Sequence, residues 1–177
     1  MEWNTVDADV LYDQLWAKLV RAKADRRSPW RTPVVATVSD EGPEARIVVL
    51  RRVEIGEALS FHTDARSAKY PQLERNPRIT WVFWDPRGNV QLRATTVATV
   101  HRGDAIAQRA WDTQSPPAQE LFAQPGRPGA PFGDSTQIPD PFVWVRCTVE
   151  KLDWLWLTEP QHVRFRWIGA EGARVVP

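Results

Sequence analysis

Arg46-Ile-Val-Val-Leu-Arg51, Phe61-His-Thr-Asp-Ala-Arg-Ser-Ala-Lys69, Asn76-Pro77 and Asn89-Val-Gln-Leu-Arg93 follow one another with little between them. The first is a β-branched run with a cation at either end, the composition of a pleated, half-buried strand. The second reads as a strand entering a turn, with Ser67 placed to cap a helix over about 67–75. Asn76-Pro77 stops that helix. An aromatic strand, Arg78–Trp84, and the turn Asp85-Pro-Arg-Gly88 lead to the last quotation. Cations and hydroxyls recur where strands end, and apolar residues fill the intervals. A sheet of this kind can press an apolar surface against a flat ring and hold a phosphate at its edge. That points to a phosphorylated aromatic cofactor.

Working outward, the same alternation of strands and turns continues on both sides. Val34–Val38 is a short buried strand, Ser39-Asp-Glu-Gly42 is turn chemistry, and Ala45–Glu54 completes a hairpin. Ala58–Thr63 follows a turn at Gly56, and Asn89–His101 is a long Val/Thr strand. Before them, Leu11, Leu15, Leu19 and Ala22 share one face of a helix over about 7–26, with Asp7 as its N-cap and Ser28-Pro29 as its end. After them, Asp104–Thr113 is helical. The segment 114–141 holds seven of the fifteen prolines and reads as one long loop. Phe142–Leu157, Val163–Ile168 and a short piece at Arg174–Val176 supply the last strands. The order predicts a mainly β, α+β fold: an antiparallel split β-barrel with helices packed around it, as a single domain over 1–177.

Composition narrows the function classes. With 177 residues, 42% hydrophobic and 25% charged, the chain is an ordinary globular one, and its net charge of +1 argues against a dedicated nucleic-acid binder. A barrel stacking single-stranded nucleic acid on Trp81, Trp84 and Arg93 is the rival that this charge balance disfavours. The single cysteine, Cys147, lies in an apolar run and reads as a buried, inert thiol. No spacing of histidines and carboxylates suits a metal, so none is expected. Without a signal-like segment or a run long enough to span a bilayer, the chain is expected in the cytoplasm, away from membranes. Ten tryptophans spread from Trp3 to Trp167 read first as core or subunit interface.

FMN asks for two or three cations and some hydroxyls around its phosphate, with apolar contacts and a few hydrogen bonds at its ring. Arg46, Arg51, Arg66, Ser67 and Lys69 answer the first need. The Val48-Val49-Leu50 backbone, Thr63 and Gln91 answer the second. Taken singly, each is an ordinary strand-end charge, cap or surface residue; their joint spacing carries the reading.

As a set, these residues resemble the pyridoxamine 5′-phosphate oxidase superfamily of FMN-binding split β-barrels. Its pattern of Arg, then Ile/Val-Val-Leu-Leu-Lys, is matched by Arg46-Ile47-Val48-Val49-Leu50-Arg51, its Phe-Tyr-Thr by Phe61-His62-Thr63, and its Ser-Arg-Lys by Ser67-Ala68-Lys69. Asn76-Pro77 and Gln91-Leu92 continue the likeness, which covers about 33–101. The resemblance implies that Arg46, Thr63, Lys69 and Gln91 hold FMN, with Arg66 standing in for the Arg replaced by Ala68. Near the C-terminus, Pro160-Gln-His162-Val-Arg164 matches the oxidase's Arg-Leu-His-Asp-Arg, which assigns Arg164 to FMN.

The resemblance further implies a homodimer with two FMN sites at its interface, where Trp111, Trp154 and Arg164 approach the flavin held by the other subunit. At the positions that bind the oxidase's substrate phosphate stand Ala110, Gln114, Ala118 and Pro160. The expected function is therefore an FMN-dependent oxidoreductase related to the oxidase but with altered substrate specificity; the alternative is a non-catalytic flavin-binding module. No catalytic residue is assigned.

Overall fold

The computed structural model describes residues 7–177. Helix α1 (Ala8–Ala24) begins where Asp7 accepts a 2.8 Å hydrogen bond from the Asp9 N–H. Its Leu11, Leu15, Trp16, Leu19 and Ala22 are buried. The cap contributes about 1 kcal/mol, whereas burying each leucine contributes about 1.5–3 kcal/mol, so packing holds this helix in place. Lys18 fixes its orientation through a 2.7 Å ion pair with Asp85 and a 4.2 Å approach to the Trp30 ring.

The strands are β1 (Val34–Ser39), β2 (Gly42–Ile47), β3 (Arg52–Glu54), β4 (Ala58–Asp64), β5 (Arg78–Asp85), β6 (Val90–His101), β7 (Phe142–Trp156), β8 (Val163–Ile168) and β9 (Glu171–Val175). Helix α2 (Lys69–Arg75) lies between β4 and β5; α3 (Ala105–Asp112) and α4 (Pro116–Ala123) lie between β6 and β7. Every ladder is antiparallel, in the order β2-β1-β5-β6-β7-β4-β3, with β8 and β9 added beside β7. A bulge between Thr95/Lys151 and Thr96/Val149 lets β7 bend, so its first half pairs with β4 and its second half with β8.

The expected strand Ala45–Glu54 is two strands. Val48 N–H and Leu50 N–H donate to Pro33 and Arg31 carbonyls on one side; Arg51 N–H then donates to Ser60 on the other. Residues 48–51 therefore link β2 and β3, the two ends of the open sheet, as a split barrel requires. Val48 and Leu50 point inward and are buried. Trp16, Trp30, Trp81 and Trp167 are fully buried as well, so much of the tryptophan content is core, while Trp84 stays exposed and Trp3 lies outside the described residues.

Three further expectations need correction. Ser67 does not cap α2: its hydroxyl donates to the Asp64 carbonyl at 2.7 Å, and the helix starts after Ala68 without a side-chain cap. The segment 114–141 contains α4, whose Pro116 and Pro117 occupy the first helical turn, where no N–H partner is needed. The last strand, β9, ends at Val175 and begins three residues earlier than Arg174. Cys147 is buried, and burial pushes its thiol pKa up to about 12. Among the described residues no helix is long and apolar enough to cross a membrane.

Candidate functional site

The β1–β2 register sets the first half of the site. Arg46 lies opposite Val35 and Glu44 opposite Thr37, so all four face inward beside α2. Arg46 donates to the Thr37 hydroxyl, to the Glu44 carboxylate at 2.9 Å and to the Gln72 side-chain oxygen at 3.3 Å. Lys69, at the start of α2, donates to Thr63 Oγ1 at 3.0 Å, and Thr63 lies 3.2 Å from the Ser67 hydroxyl. Burial lowers the Lys69 pKa, Arg46 lowers it further, and Asp64 and Glu44 oppose that. Two cations and three hydroxyls therefore gather at one edge of the sheet, the donor set that a phosphate monoester needs.

The second half is backbone. The N–H groups of Val48 and Leu50 are spent on the carbonyls of Pro33 and Arg31, so Val49 N–H points the other way and makes no hydrogen bond among the described residues. Ile47, the last residue of β2, faces outward and is 67% exposed. Beyond them, Arg51 is half-buried, its Nε fully enclosed without a partner. Burial and then the Arg31 charge lower its pKa. Arg51 opens into a cavity of about 440 Å³ that also meets Lys23, Arg52, Arg109, Ala110 and Trp144. A half-buried guanidinium without a counter-ion among the described residues, an outward N–H and a cationic edge fit an anionic, flat, polar-edged group such as FMN.

Arg66 is placed differently. Its Nε and Nη2 grip Asp64, Nη1 donates to the carbonyls of Gln124 (2.6 Å) and Thr136, and Nη2 also reaches Phe122 O at 3.1 Å. All five of its donors are used, so it ties down the 116–141 segment and has none left for a phosphate.

His62 sits against Phe122 and Phe142, each 5.5 Å away between ring centres, in a cluster that includes Trp111. Burial and then Arg51 lower its pKa from 6.5 to about 4, with Gln114 compensating in part; Nε2 has no partner. The imidazole is therefore neutral in the folded protein near pH 7. Because the unfolded chain takes up this proton first, the stability present above pH 6.5 is lost as pH falls toward 4, by roughly 3 kcal/mol in total. His62→Phe should remove that part of the pH dependence while folding normally at pH 7. Urea midpoints of both proteins at pH 7 and 4.5 check this; parallel losses would contradict it.

Gln91 and Arg164 lie elsewhere. Leu92 and Ala94 face the core, so Gln91 and Arg93 face the outer side of the sheet, and the pairings Gln91–Leu155–Arg164 and Arg93–Asp153–Arg166 extend that face. Arg164 grips Asp153 at 2.9 and 2.8 Å, and Arg93 and Arg166 reach the same carboxylate at 2.9 and 2.8 Å. Burial pushes the Asp153 pKa up, but hydrogen bonds from Arg164, Arg166 and Arg93 overcome it and hold the group at about 2. One carboxylate against three guanidiniums leaves this outer face cationic.

A single chain thus keeps the Arg46–Lys69 edge and the Gln91–Arg164 group on opposite faces of one sheet. His162 is exposed, 3.1 Å from the Thr158 carbonyl through Nδ1, and borders a cavity of about 860 Å³ with Trp154, Trp156 and Asn89.

Sequence reasoning missed Thr37, Glu44, Gln72 and Asp153. A lone acid in the run Leu152-Asp-Trp-Leu-Trp156 was the available signal for the last. The first three show themselves only once the strand pairing is known.

Residues 12–102 match the family described as the FMN-binding domain of pyridoxamine 5′-phosphate oxidase. The pyridoxine/pyridoxamine 5′-phosphate oxidase of Leptospira interrogans is 40% identical over 60 residues, which are 33% of this chain and 28% of that enzyme. The crystal structure of a pyridoxamine 5′-phosphate oxidase-related, FMN-binding protein from Nostoc punctiforme superposes with a TM-score of 0.75 at 25% identity, covering 93% of this chain and 96% of that one. PhzG from Burkholderia lata shares the fold, with a TM-score of 0.73 at 15% identity over 99% and 96% of the two chains.

Proposed function

From the premise that the chain belongs to the pyridoxamine 5′-phosphate oxidase FMN-binding domain family, with FMN as its cofactor, we propose that it is an FMN-dependent oxidoreductase with a substrate other than the oxidase's. The observation that carries this reading is the Arg46–Lys69 edge with its Thr63 and Ser67 hydroxyls, joined along residues 46–51 to a half-buried Arg51 that has no counter-ion among the described residues. Bound FMN supplies the redox chemistry. Arg46, Lys69, Thr63 and Ser67 hold its phosphate. Val49 N–H would be available to a polar ring edge, and the Arg51 cation would favour negative charge near it. Trp111, Phe122 and Phe142 keep water from the neighbouring His62.

The substrate side supports the altered specificity. Ala110 and Ala118 offer no donor, Gln114 spends its amide on the Ala110 carbonyl at 2.9 Å, and Pro160 is exposed in the turn before β8. Among the cations around the 440 Å³ cavity, Lys23, Arg52 and Arg109 are solvated, and Arg52 leans on Glu54 at 3.4 Å. Steady-state turnover of the FMN-loaded protein with a reduced nicotinamide donor and an electron acceptor tests the enzyme reading. Absence of turnover would overturn it in favour of a flavin-binding module.

The protein acts as a homodimer in this reading. Gln91 and Arg164 can reach a flavin held at Arg46 and Lys69 only from a second copy, because a sheet separates them within one chain. Ile47 and Trp84, 67% and 42% exposed, give the outer face apolar surface for a partner to cover. Sedimentation should show a flavin-loaded dimer at micromolar concentration. A flavin-loaded monomer would contradict the shared site.

A further inference from the structure

We propose that Glu44 is a built-in competitor of the flavin phosphate: its carboxylate neutralises the phosphate-binding edge from within, so it lowers affinity for FMN and leaves riboflavin unaffected. This rests on the assignment of the phosphate to Arg46 and Lys69. Glu44 Oε2 accepts from Arg46 at 2.9 Å, and Glu44 Oε1 accepts from Gln72 Nε2 at 2.8 Å. Its charge also acts on Lys69. Among the described residues, the other acid that acts on Lys69 is Asp64, which is already gripped by Arg66. Glu44 therefore serves both cations that a phosphate would use.

The surrounding hydrogen bonds fix which groups it masks. Arg46 donates to Thr37, so the Thr37 hydroxyl donates onward to Gln72 Oε1, at 2.6 Å. Arg46 also donates to that oxygen, so the Gln72 amide cannot flip, and its NH₂ must face Glu44. Gln72 is 3% exposed and hydrogen-bonded at both ends of its amide, whereas the Glu44 side chain is 44% exposed. Turning Glu44 into water therefore unfolds nothing. It frees the Arg46 Nη2 and Gln72 Nε2 donors together, which a phosphate oxygen can then use. If the carboxylate stays, it repels the dianion; if it leaves, its ion pair is lost. Either way FMN alone carries the cost, because riboflavin has no phosphate.

The test is equilibrium titration of the flavin-free full chain with FMN and with riboflavin, for wild type, Glu44→Gln and Glu44→Ala. Gln keeps the shape and one of the two acceptors while removing the charge. The expected result is FMN bound about tenfold more tightly by Glu44→Gln, equivalent to about 1.4 kcal/mol. Glu44→Ala should shift in the same direction, with riboflavin unchanged in both. Wild type preferring FMN while both variants bind it no better, or worse, would overturn the competitor role and leave the phosphate assignment standing. Wild type failing to distinguish FMN from riboflavin would overturn the phosphate assignment and this proposal with it. Equal gains for both flavins would show a loosened fold and also overturn it.

Discussion

Lys69→Ala and Arg46→Ala should each weaken FMN binding by about 10- to 150-fold, the equivalent of one charge-assisted hydrogen bond at roughly 1.5–3 kcal/mol, with riboflavin affinity little changed. Lys69 is the cleaner test. Among the described residues it donates only to Thr63, and it carries a proton against the opposing influence of burial and Arg46, so its removal relieves a like-charge pair. Arg46 also organises Thr37 and Gln72, and its loss leaves the buried Gln72 oxygen with Thr37 alone. The chain should still fold, because the core lies in Trp81, Phe83, Leu59 and their neighbours rather than at this edge. Fluorescence titration of the folded variants checks both, and unchanged FMN affinity in the pair would show the phosphate to be held elsewhere.

The second large effect concerns the reaction. The FMN-saturated protein should form pyridoxal phosphate from the oxidase's substrates under air with a specificity constant several orders of magnitude below that of an ordinary enzyme. Each missing charged contact costs roughly 1.5–3 kcal/mol, and Ala110, Ala118 and Pro160 supply none. Turnover of about 1 per second or faster at micromolar half-saturation, within the typical range for enzymes, would contradict this. In that event Arg51 and the solvated cations Lys23 and Arg109 around its cavity would be the phosphate site.

The strands were legible because β-branched runs and turn residues alternate so regularly, and α1 because its leucines recur at helical spacing. The division of Ala45–Glu54 was not legible. Which neighbour accepts each N–H from Val48 to Arg51 depends on Arg31, Pro33 and Ser60, and nothing local to the run encodes that switch. Prolines hid α4, although Pro116 and Pro117 sit where a helix tolerates them.

At the site, the motif residues Arg46, Thr63, Ser67 and Lys69 were legible as a group, and the fold brings them to one edge. Arg66 looked equivalent by charge and position, but the carbonyls that consume it come from residues 56 to 70 places away. Glu44 and Gln72 became visible only through the register that sets Arg46 opposite Val35. Gln91 and Arg164 were legible as family-like residues, yet their strand parity, read from the ladder, places them on the far face of the sheet from Arg46 and Lys69.

The most direct measurement is the titration of the wild-type, flavin-free chain with FMN and with riboflavin, with binding stoichiometry read from the flavin absorbance. The expected result is one FMN per chain, bound more tightly than riboflavin by at least about tenfold, because Arg46 and Lys69 read the phosphate. Equal affinities for the two flavins would contradict it.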